Sequence, residues 1–211
     1  MAVVDEGTES FLRFWYGEPS EQVLADDGPE PEALRGWWAY ERAWSPPLTR
    51  QNRVLSRAEL IQEDDHVVFY VENQGVVVWS YVGDGDAEVF ERNRDEIARR
   101  SLGVGMSSFL LQVAVFEASF GPYALLAGQV GEFELHGLLG GFEELPLDTW
   151  AGCRFWATDA LIANIVVNQP PDDPITEDTT WLAMFSAREL DDLEDFANRH
   201  TTTWDYDSRV D

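Results

Sequence analysis

The chain has 211 residues, of which 40 are acidic and 14 are arginines, and it contains no lysine. The formal net charge of −26 at pH 7 creates a field that repels phosphate backbones and anionic lipids, which argues against nucleic-acid and membrane binding. A chain of this length can form one domain with a sizeable core that needs neither a disulfide nor a metal ion.

Cysteine content and the opening residues bear on the cellular compartment. Cys153 is the single cysteine, so no disulfide can form within the chain. The first ten residues, MAVVDEGTES, lack the basic start and the apolar stretch of a secretory signal. The longest helix-like apolar run, residues 106–116, is shorter than the roughly 20 residues that span a bilayer. We therefore expect a protein of the reducing cytoplasm.

The first 50 residues predict two short helices. They are SFLRFWY, residues 10–16, and PEALRGWWAYERAW, residues 31–44, which a Ser-Pro-Pro sequence ends. Four bulky or small apolar residues recur at helical spacing in the second helix and are expected to face the core: Trp37, Tyr40, Ala43 and Trp44.

A β-hairpin is predicted next. HVVFYV, residues 66–71, and VVVWSYV, residues 76–82, are β-branched and aromatic runs of strand length. Between them, Glu72-Asn73-Gln74-Gly75 has the residue types of a tight turn. Its polar side chains either satisfy backbone groups at the turn or contact a ligand. Four strand residues are expected to be buried: Val68, Tyr70, Val78 and Trp79.

The second half predicts a buried helix, three strands and a closing helix. Residues 106–120 are apolar almost all round, as in a buried helix. The glycine-rich passage 128–141 has no clear pattern. Strands are expected at residues 153–158 and 160–168, joined at Asp159, and at residues 179–186. In the closing helix, Ser186 and Glu189 form a capping-box pattern, before an inner stripe of Leu190, Leu193, Phe196 and Ala197.

Most enzyme and metal-site patterns are missing. A phosphate-binding P-loop needs a lysine, and no Gly-x-Ser-x-Gly nucleophile elbow is present. The histidines His66, His136 and His200 are too far apart in sequence for a zinc motif. Asp84-Gly-Asp86-Ala-Glu88 resembles the start of a calcium loop, but Val89 stands where the sharp turn requires glycine. We expect no catalytic residue, no metal and no organic cofactor.

The hairpin and the helix after it resemble the SUKH superfamily, which is best known for bacterial toxin-immunity proteins. In that family a strand ending in Glu-Asn-Gln leads into a second strand with a tryptophan, and a later helix with a Phe-Leu start packs on the sheet. The matching residues here are Glu72, Asn73, Gln74, Trp79, Phe109 and Leu110. The resemblance covers residues 54–120, and the strands and closing helix of residues 150–200 have the expected types.

The resemblance implies an α+β fold in which one mainly antiparallel or mixed sheet carries packed helices, as a single domain over residues 1–211. It also implies a cytoplasmic immunity protein that neutralises a cognate polymorphic toxin, typically a nuclease, by direct binding. Nucleases have cationic substrate clefts, to which an acidic protein can associate quickly. The alternatives are an enzyme with an acidic pocket and a regulatory scaffold protein, and the acidity can also serve solubility alone.

Two acidic groups are candidates for the partner-binding surface. Residues 106–211 have 19 acids and four arginines, a net charge of −15, against −11 for residues 1–105. The density is highest between residues 172 and 195, where the loop 169–179 contributes Asp172, Asp173, Glu177 and Asp178. The first candidates lie on the closing helix: Asp191, Asp192, Glu194 and Asp195. The second group lies in the turn after the hairpin: Asp84, Asp86 and Glu88.

Overall fold

The computed structural model describes residues 6–45, 47–121, 124–147, 152–168, 176 and 179–209. The helices are α1 (Thr8–Tyr16), α2 (Glu32–Ala43), α3 (Met106–Ala118), α4 (Glu132–Leu138) and α5 (Leu190–Arg199). The first six strands are β1 (Arg53–Val54), β2 (Ile61–Glu63), β3 (His66–Val71), β4 (Val77–Val82), β5 (Glu88–Asn93) and β6 (Arg100–Gly105). The others are β7 (Ala124–Gly131), β8 (Glu143–Glu144), β9 (Cys153–Ala157), β10 (Leu161–Val167), β11 (Thr180–Ala187) and β12 (Tyr206–Asp207).

The expected α+β class is confirmed, but the strands form two sheets and not one. The first sheet has the order β1-β3-β4-β5-β6, with β2 also paired to β3, and the second has the order β12-β7-β11-β10-β9-β8. All their pairings are antiparallel. The first sheet ends at β6, whose arginine and glycines make a poor template for another strand.

The chain divides into two compact units. The N-terminal unit is Asp5–Glu117 and contains the first sheet, and the C-terminal unit holds Ala118–Asp211 and contains the second sheet. The boundary falls at the end of α3, so the strands of each sheet belong to one continuous stretch of sequence. That the whole chain is a single SUKH-like domain remains a prediction.

The predicted hairpin is confirmed in the N-terminal unit. Strands β3 and β4 pair antiparallel, with Tyr70 opposite Trp79 and Val71 opposite Val78. The four residues that were expected to be buried are at most 7% exposed. Helix α3, also predicted, packs against this hairpin through Phe109, whose ring lies 5.8 Å from that of Tyr70 and 6.3 Å from that of Trp79.

The two N-terminal helices are confirmed, with small differences. Helix α1 begins at Thr8, two residues before the predicted start, and its neighbour Gly7 has a positive φ of 96°. Three of the four predicted core residues of the second helix region, Trp37, Ala43 and Trp44, are buried, whereas Tyr40 is half-buried.

The C-terminal unit has its helices on one face of its sheet. The three predicted strands are present as β9, β10 and β11. Helices α4 and α5 contribute Leu135, Leu138, Leu193 and Phe196 to one apolar cluster, which also contains Phe185 of β11. Helix α4 and strand β7 occupy the glycine-rich passage in which the sequence showed no clear pattern.

The predicted start of the closing helix is wrong. Ser186 is a strand residue opposite Ile162 and is fully buried, so it does not cap α5, and the N-cap is Glu189. Leu190 is 43% exposed and lies outside the buried stripe. Strand pairing takes precedence here because Ser186 continues the ladder of β11. Within the described ranges, no helix combines the length and apolar character that crossing a membrane requires.

Candidate functional site

The turn of the hairpin is held by its own residues. The carboxylate of Glu72 accepts hydrogen bonds from the backbone N–H groups of Gln74 and Val76, both at 3.1 Å. Gly75 donates its N–H to the Glu72 carbonyl at 2.8 Å and has a φ of 71°, which L-residues with a side chain rarely adopt. The Glu72 carboxylate therefore satisfies backbone groups at the turn, which is one of the two roles that the sequence left open.

The other residues of the resemblance also make contacts within the N-terminal unit. The backbone N–H of Asn73 donates to Oδ1 of Asn52 at 3.2 Å. The indole Nε1 of Trp79 donates to the Glu91 carboxylate at 3.2 Å. The side chain of Gln74 is exposed. These contacts connect the turn to neighbouring segments of the N-terminal unit.

A buried carboxylate, which the sequence did not reveal, organises the same region. Glu117 at the end of α3 is fully buried. Its oxygens accept three backbone N–H groups, from Arg50, Gln51 and Asn52, at 2.6 to 3.0 Å. The Tyr70 hydroxyl donates to it at 2.8 Å. Burial raises the pKa of Glu117, although these hydrogen bonds act in the opposite direction.

The acids of the turn after the hairpin are only partly available to a partner. Asp86 accepts the N–H of Ser107 at 2.7 Å and so caps the first turn of α3. Glu88 accepts the Ser101 hydroxyl. Asp84 is exposed. Two of these three carboxylates therefore have structural partners, which makes the turn the weaker of the two predicted surfaces.

The acids of α5 form a more open surface. Asp191, Glu194 and Asp195 are exposed and Asp192 is half-buried. Among the described residues, none of these four carboxylates lies within ion-pairing distance of an arginine or histidine. The dense loop acids Asp172, Asp173, Glu177 and Asp178 lie outside the described residues.

A cleft of about 700 Å³ opens beside α5 in the C-terminal unit. Its lining includes two of the predicted acids together with aromatic and basic groups: Asp192, Asp195, Phe142, Phe196, Arg199 and His200. The His200 ring lies 4.7 Å from that of Phe196, and burial lowers the pKa of His200, so its imidazole is neutral at pH 7. Carboxylates at the side of an aromatic wall suit the side chain of an arginine or lysine.

Two side chains of types that often act in catalysis, Cys153 and His66, are buried or partly buried. Cys153 is buried, and burial raises the pKa of its thiol to about 11, so it is protonated at neutral pH. His66 shares a hydrogen bond with the Ser80 hydroxyl at 3.2 Å, and burial lowers its pKa. Within the described ranges, no three histidine, cysteine or acidic side chains are arranged to hold a metal ion. That no metal or cofactor accompanies the protein stays a prediction.

The chain was compared with family models, with curated proteins and with solved structures, and none of the three comparisons gave a match.

Proposed function

We propose that the chain is a cytoplasmic immunity protein of the SUKH type, which binds and neutralises a cationic bacterial toxin without catalysing a reaction. The observation that carries this proposal is the acidic face of α5. Asp191 and Asp195 are exposed and have no ion-pair partner among the described residues, whereas the exposed Glu194 interacts electrostatically with Arg209. A nuclease toxin with a cationic substrate cleft has the complementary charge.

The local energetics favour a binding role for this face over a role in folding. Asp191 and Asp195 are one helical turn apart, and like charges at this spacing destabilise a helix by about 0.2–0.5 kcal/mol. Asp195 also lies towards the C-terminal half of α5, where the helix dipole disfavours negative charge. A cationic partner would offset both effects, and it would be attracted from a distance by the net charge of −26.

The proposal predicts that reversing two charges on α5 slows binding. The proposal predicts that a neighbouring gene encodes a large secreted protein with a toxin-like end, and the C-terminal domain of that protein is the probe. The double variant Asp191→Lys/Asp195→Lys should associate about tenfold more slowly and with a flatter salt dependence, because steering is lost. Its thermal unfolding should stay close to wild type, because both side chains are exposed. Surface plasmon resonance at several salt concentrations measures the rates.

The matched control reverses two exposed acids of the N-terminal unit, as Asp95→Lys/Glu96→Lys. Both double variants change the net charge from −26 to −22, so a difference between them reports position and not total charge. Equal association rates for the two variants would remove α5 from the interface and make the turn around Asp84 the next surface to test. Failure of the wild-type chain to bind the toxin domain would overturn the proposed function.

A further inference from the structure

Phe133 on α4 is the most exposed large apolar side chain described, at 95% exposure. Leu135 and Leu138 of the same helix are 7% and 1% exposed and face the sheet. At 100° per residue, Phe133 lies about 200° and 140° around the helix axis from these two residues, so its ring points away from the core. The inward face of α4 is already complete, and packing within the unit does not use this phenylalanine.

The exposed ring belongs to the same helical layer as the acids of α5. Helices α4 and α5 both pack on one apolar cluster of the second sheet, through Leu138 and Leu193 among others. The segment that follows α5 is joined to α4, because the Thr202 hydroxyl donates to the Glu134 carboxylate. Exposed carboxylates of Glu132 and Glu134 flank the ring on α4 itself. The outer side of α4 therefore has an exposed aromatic ring with a carboxylate on each side of it in the sequence.

We propose that Phe133 is the apolar anchor of a protein-docking surface, and that it inserts into an apolar pocket bordered by arginines or lysines on the partner. This inference rests on the proposed function and specifies which residue contributes most to that binding. Interfaces concentrate their affinity in a few residues, often aromatic, that charged or polar groups surround.

The negative charge around Phe133 indicates which kind of partner can bind to this surface. A second copy of the chain would bring together two surfaces from a segment, residues 106–211, with a net charge of −15. An anionic lipid surface would be repelled in the same way. A cationic protein is the partner that gains from both the ring and the carboxylates around it.

The test separates the anchor from the steering charges by kinetics. The probe is the same toxin domain, and the variants of the full chain are Phe133→Ala and the control Ile97→Ala, which removes a 93% exposed side chain from the N-terminal unit. Phe133→Ala should weaken binding by about 30-fold, chiefly through faster dissociation, with an unchanged salt dependence. Ile97→Ala should stay within about twofold of wild type. Both variants should keep the wild-type unfolding midpoint.

Each other outcome overturns the inference, and the outcomes can be told apart. If the wild-type chain binds the toxin domain and Phe133→Ala binds equally well, the anchor role is wrong while the proposed function stands. If the wild-type chain does not bind, the proposed function falls and this inference falls with it. If light scattering shows a wild-type dimer that Phe133→Ala converts to a monomer, the occupant is a second copy and not a cationic partner.

Discussion

Glu117 connects the end of α3 with the hairpin through a short series of hydrogen bonds. Its carboxylate accepts the Tyr70 hydroxyl, which itself accepts the side-chain amide of Asn52 at 2.9 Å. Asn52 in turn accepts the backbone N–H of Asn73. A buried carboxylate is tolerable only when its oxygens are satisfied, and four donors achieve this here. The position of the turn thus depends on a residue 44 positions later in the chain.

This network could not have been found from the sequence. Glu117 is one of 40 acidic residues, and nothing in its neighbours marks it as buried except the apolar helix that it ends. Its partners are backbone N–H groups, which every segment has. The role of Glu72 could be stated in advance as one of two alternatives, because a carboxylate beside an Asn-Gln-Gly turn has backbone donors within reach.

Replacing Glu117 by glutamine should destabilise the protein in a pH-dependent way. The amide nitrogen cannot accept hydrogen bonds, so Glu117→Gln leaves buried N–H donors unsatisfied, at a cost of about 1–3 kcal/mol. The pKa of Glu117 is raised by burial in the folded state, so the folded state binds this proton more tightly than the unfolded state. The contribution of Glu117 to the stability of the wild-type protein is therefore fully present below the ordinary glutamate pKa. It is lost as the pH rises through the raised pKa of the folded state.

Urea unfolding at pH 5 and pH 7.5 measures the effect, with Glu117→Gln as the reference that cannot titrate at this position. The free energy of unfolding of wild type should exceed that of the variant by less at pH 7.5 than at pH 5. An advantage that grows with pH would mean that the four donors outweigh burial and hold the pKa of Glu117 below its usual range. Carboxylates that do not interact with Glu117 titrate equally in both proteins and cancel in the difference. Glu41 is an exception, because the charge of Glu117 contributes to its raised pKa, after burial as the main cause.

At the scale of elements, apolar patterning predicted the hairpin, α3 and the strands β9 to β11. All of these have long β-branched or apolar runs, and burial on both sides leaves little alternative to the observed structure. Strand β5, with the sequence EVFERN, and strand β6, with RSLGVG, gave no comparable signal because they lie largely half-buried or exposed. Strand β5 is positioned by its pairing with β4, and β6 by its pairing with β5, which is tertiary information.

Helix α4, which contains the exposed Phe133, lies in the glycine-rich passage and was not predicted from the sequence. Strand β7 has the sequence ALLAGQVG and α4 has EFELHGL, so glycines interrupt both periodic patterns. With only seven residues, α4 is too short for a helical repeat to show. Phe133 was therefore not predicted as a site residue, whereas the acids of α5 were, because that helix has a clear amphipathic pattern.

Replacing Gly75 by alanine and replacing Gly137 by alanine should change the stability of the protein in opposite directions. Gly75 in the hairpin turn has a φ of 71°, and a residue with a Cβ atom loses roughly 1–2 kcal/mol in this conformation. Gly137 is an exposed residue inside α4, where its Cβ would meet no described atom within 4 Å. Alanine at this position should stabilise by about 0.5–1 kcal/mol, because glycine is the poorer helix former.

Urea unfolding of the two variants and of wild type measures the change in the free energy of unfolding that each substitution causes. Gly75→Ala should lower the midpoint and Gly137→Ala should raise it, with the slope unchanged in each case. A Gly75→Ala variant as stable as wild type would show that the turn can change its type without disturbing the pairing of β3 and β4. The two variants add the same methyl group, so they differ only in backbone conformation and surroundings.

At the scale of the whole molecule, the family resemblance implied the α+β class but not the division into two units. The cationic partner stays a prediction. Local patterns do not determine which strands share a sheet, since that depends on pairing partners far apart in sequence. Strand β7, for example, pairs with β11, about 55 residues later, and α5 then packs on the same sheet. Of the two predicted acidic surfaces, the one on α5 has the more available carboxylates.

The excess of negative charge should make the protein more stable in salt. The 40 acids outnumber the 14 arginines by 26, so repulsion outweighs attraction. The ion pairs are mostly partly exposed, such as Arg154 with Glu144 at 2.6 Å, and contribute about 0–1 kcal/mol each. Raising the salt concentration from 10 mM to 1 M shortens the screening length from about 30 Å to about 3 Å. Screening weakens the repulsion between carboxylates and the attraction within ion pairs, but the repulsion is the larger of the two and decreases more.

The free energy of unfolding should therefore increase between 10 mM and 1 M sodium chloride, by about 1 kcal/mol, the energy of one pair of unit charges 4 Å apart in water. Urea is the denaturant, because guanidinium is itself a salt. The Asp95→Lys/Glu96→Lys variant has a net charge of −22 in place of −26 and should gain less. Choline chloride should reproduce the increase, because screening does not depend on the cation. A decrease in stability with salt would show that the arginine pairs, and not the unpaired carboxylates, dominate the electrostatic energy of the fold.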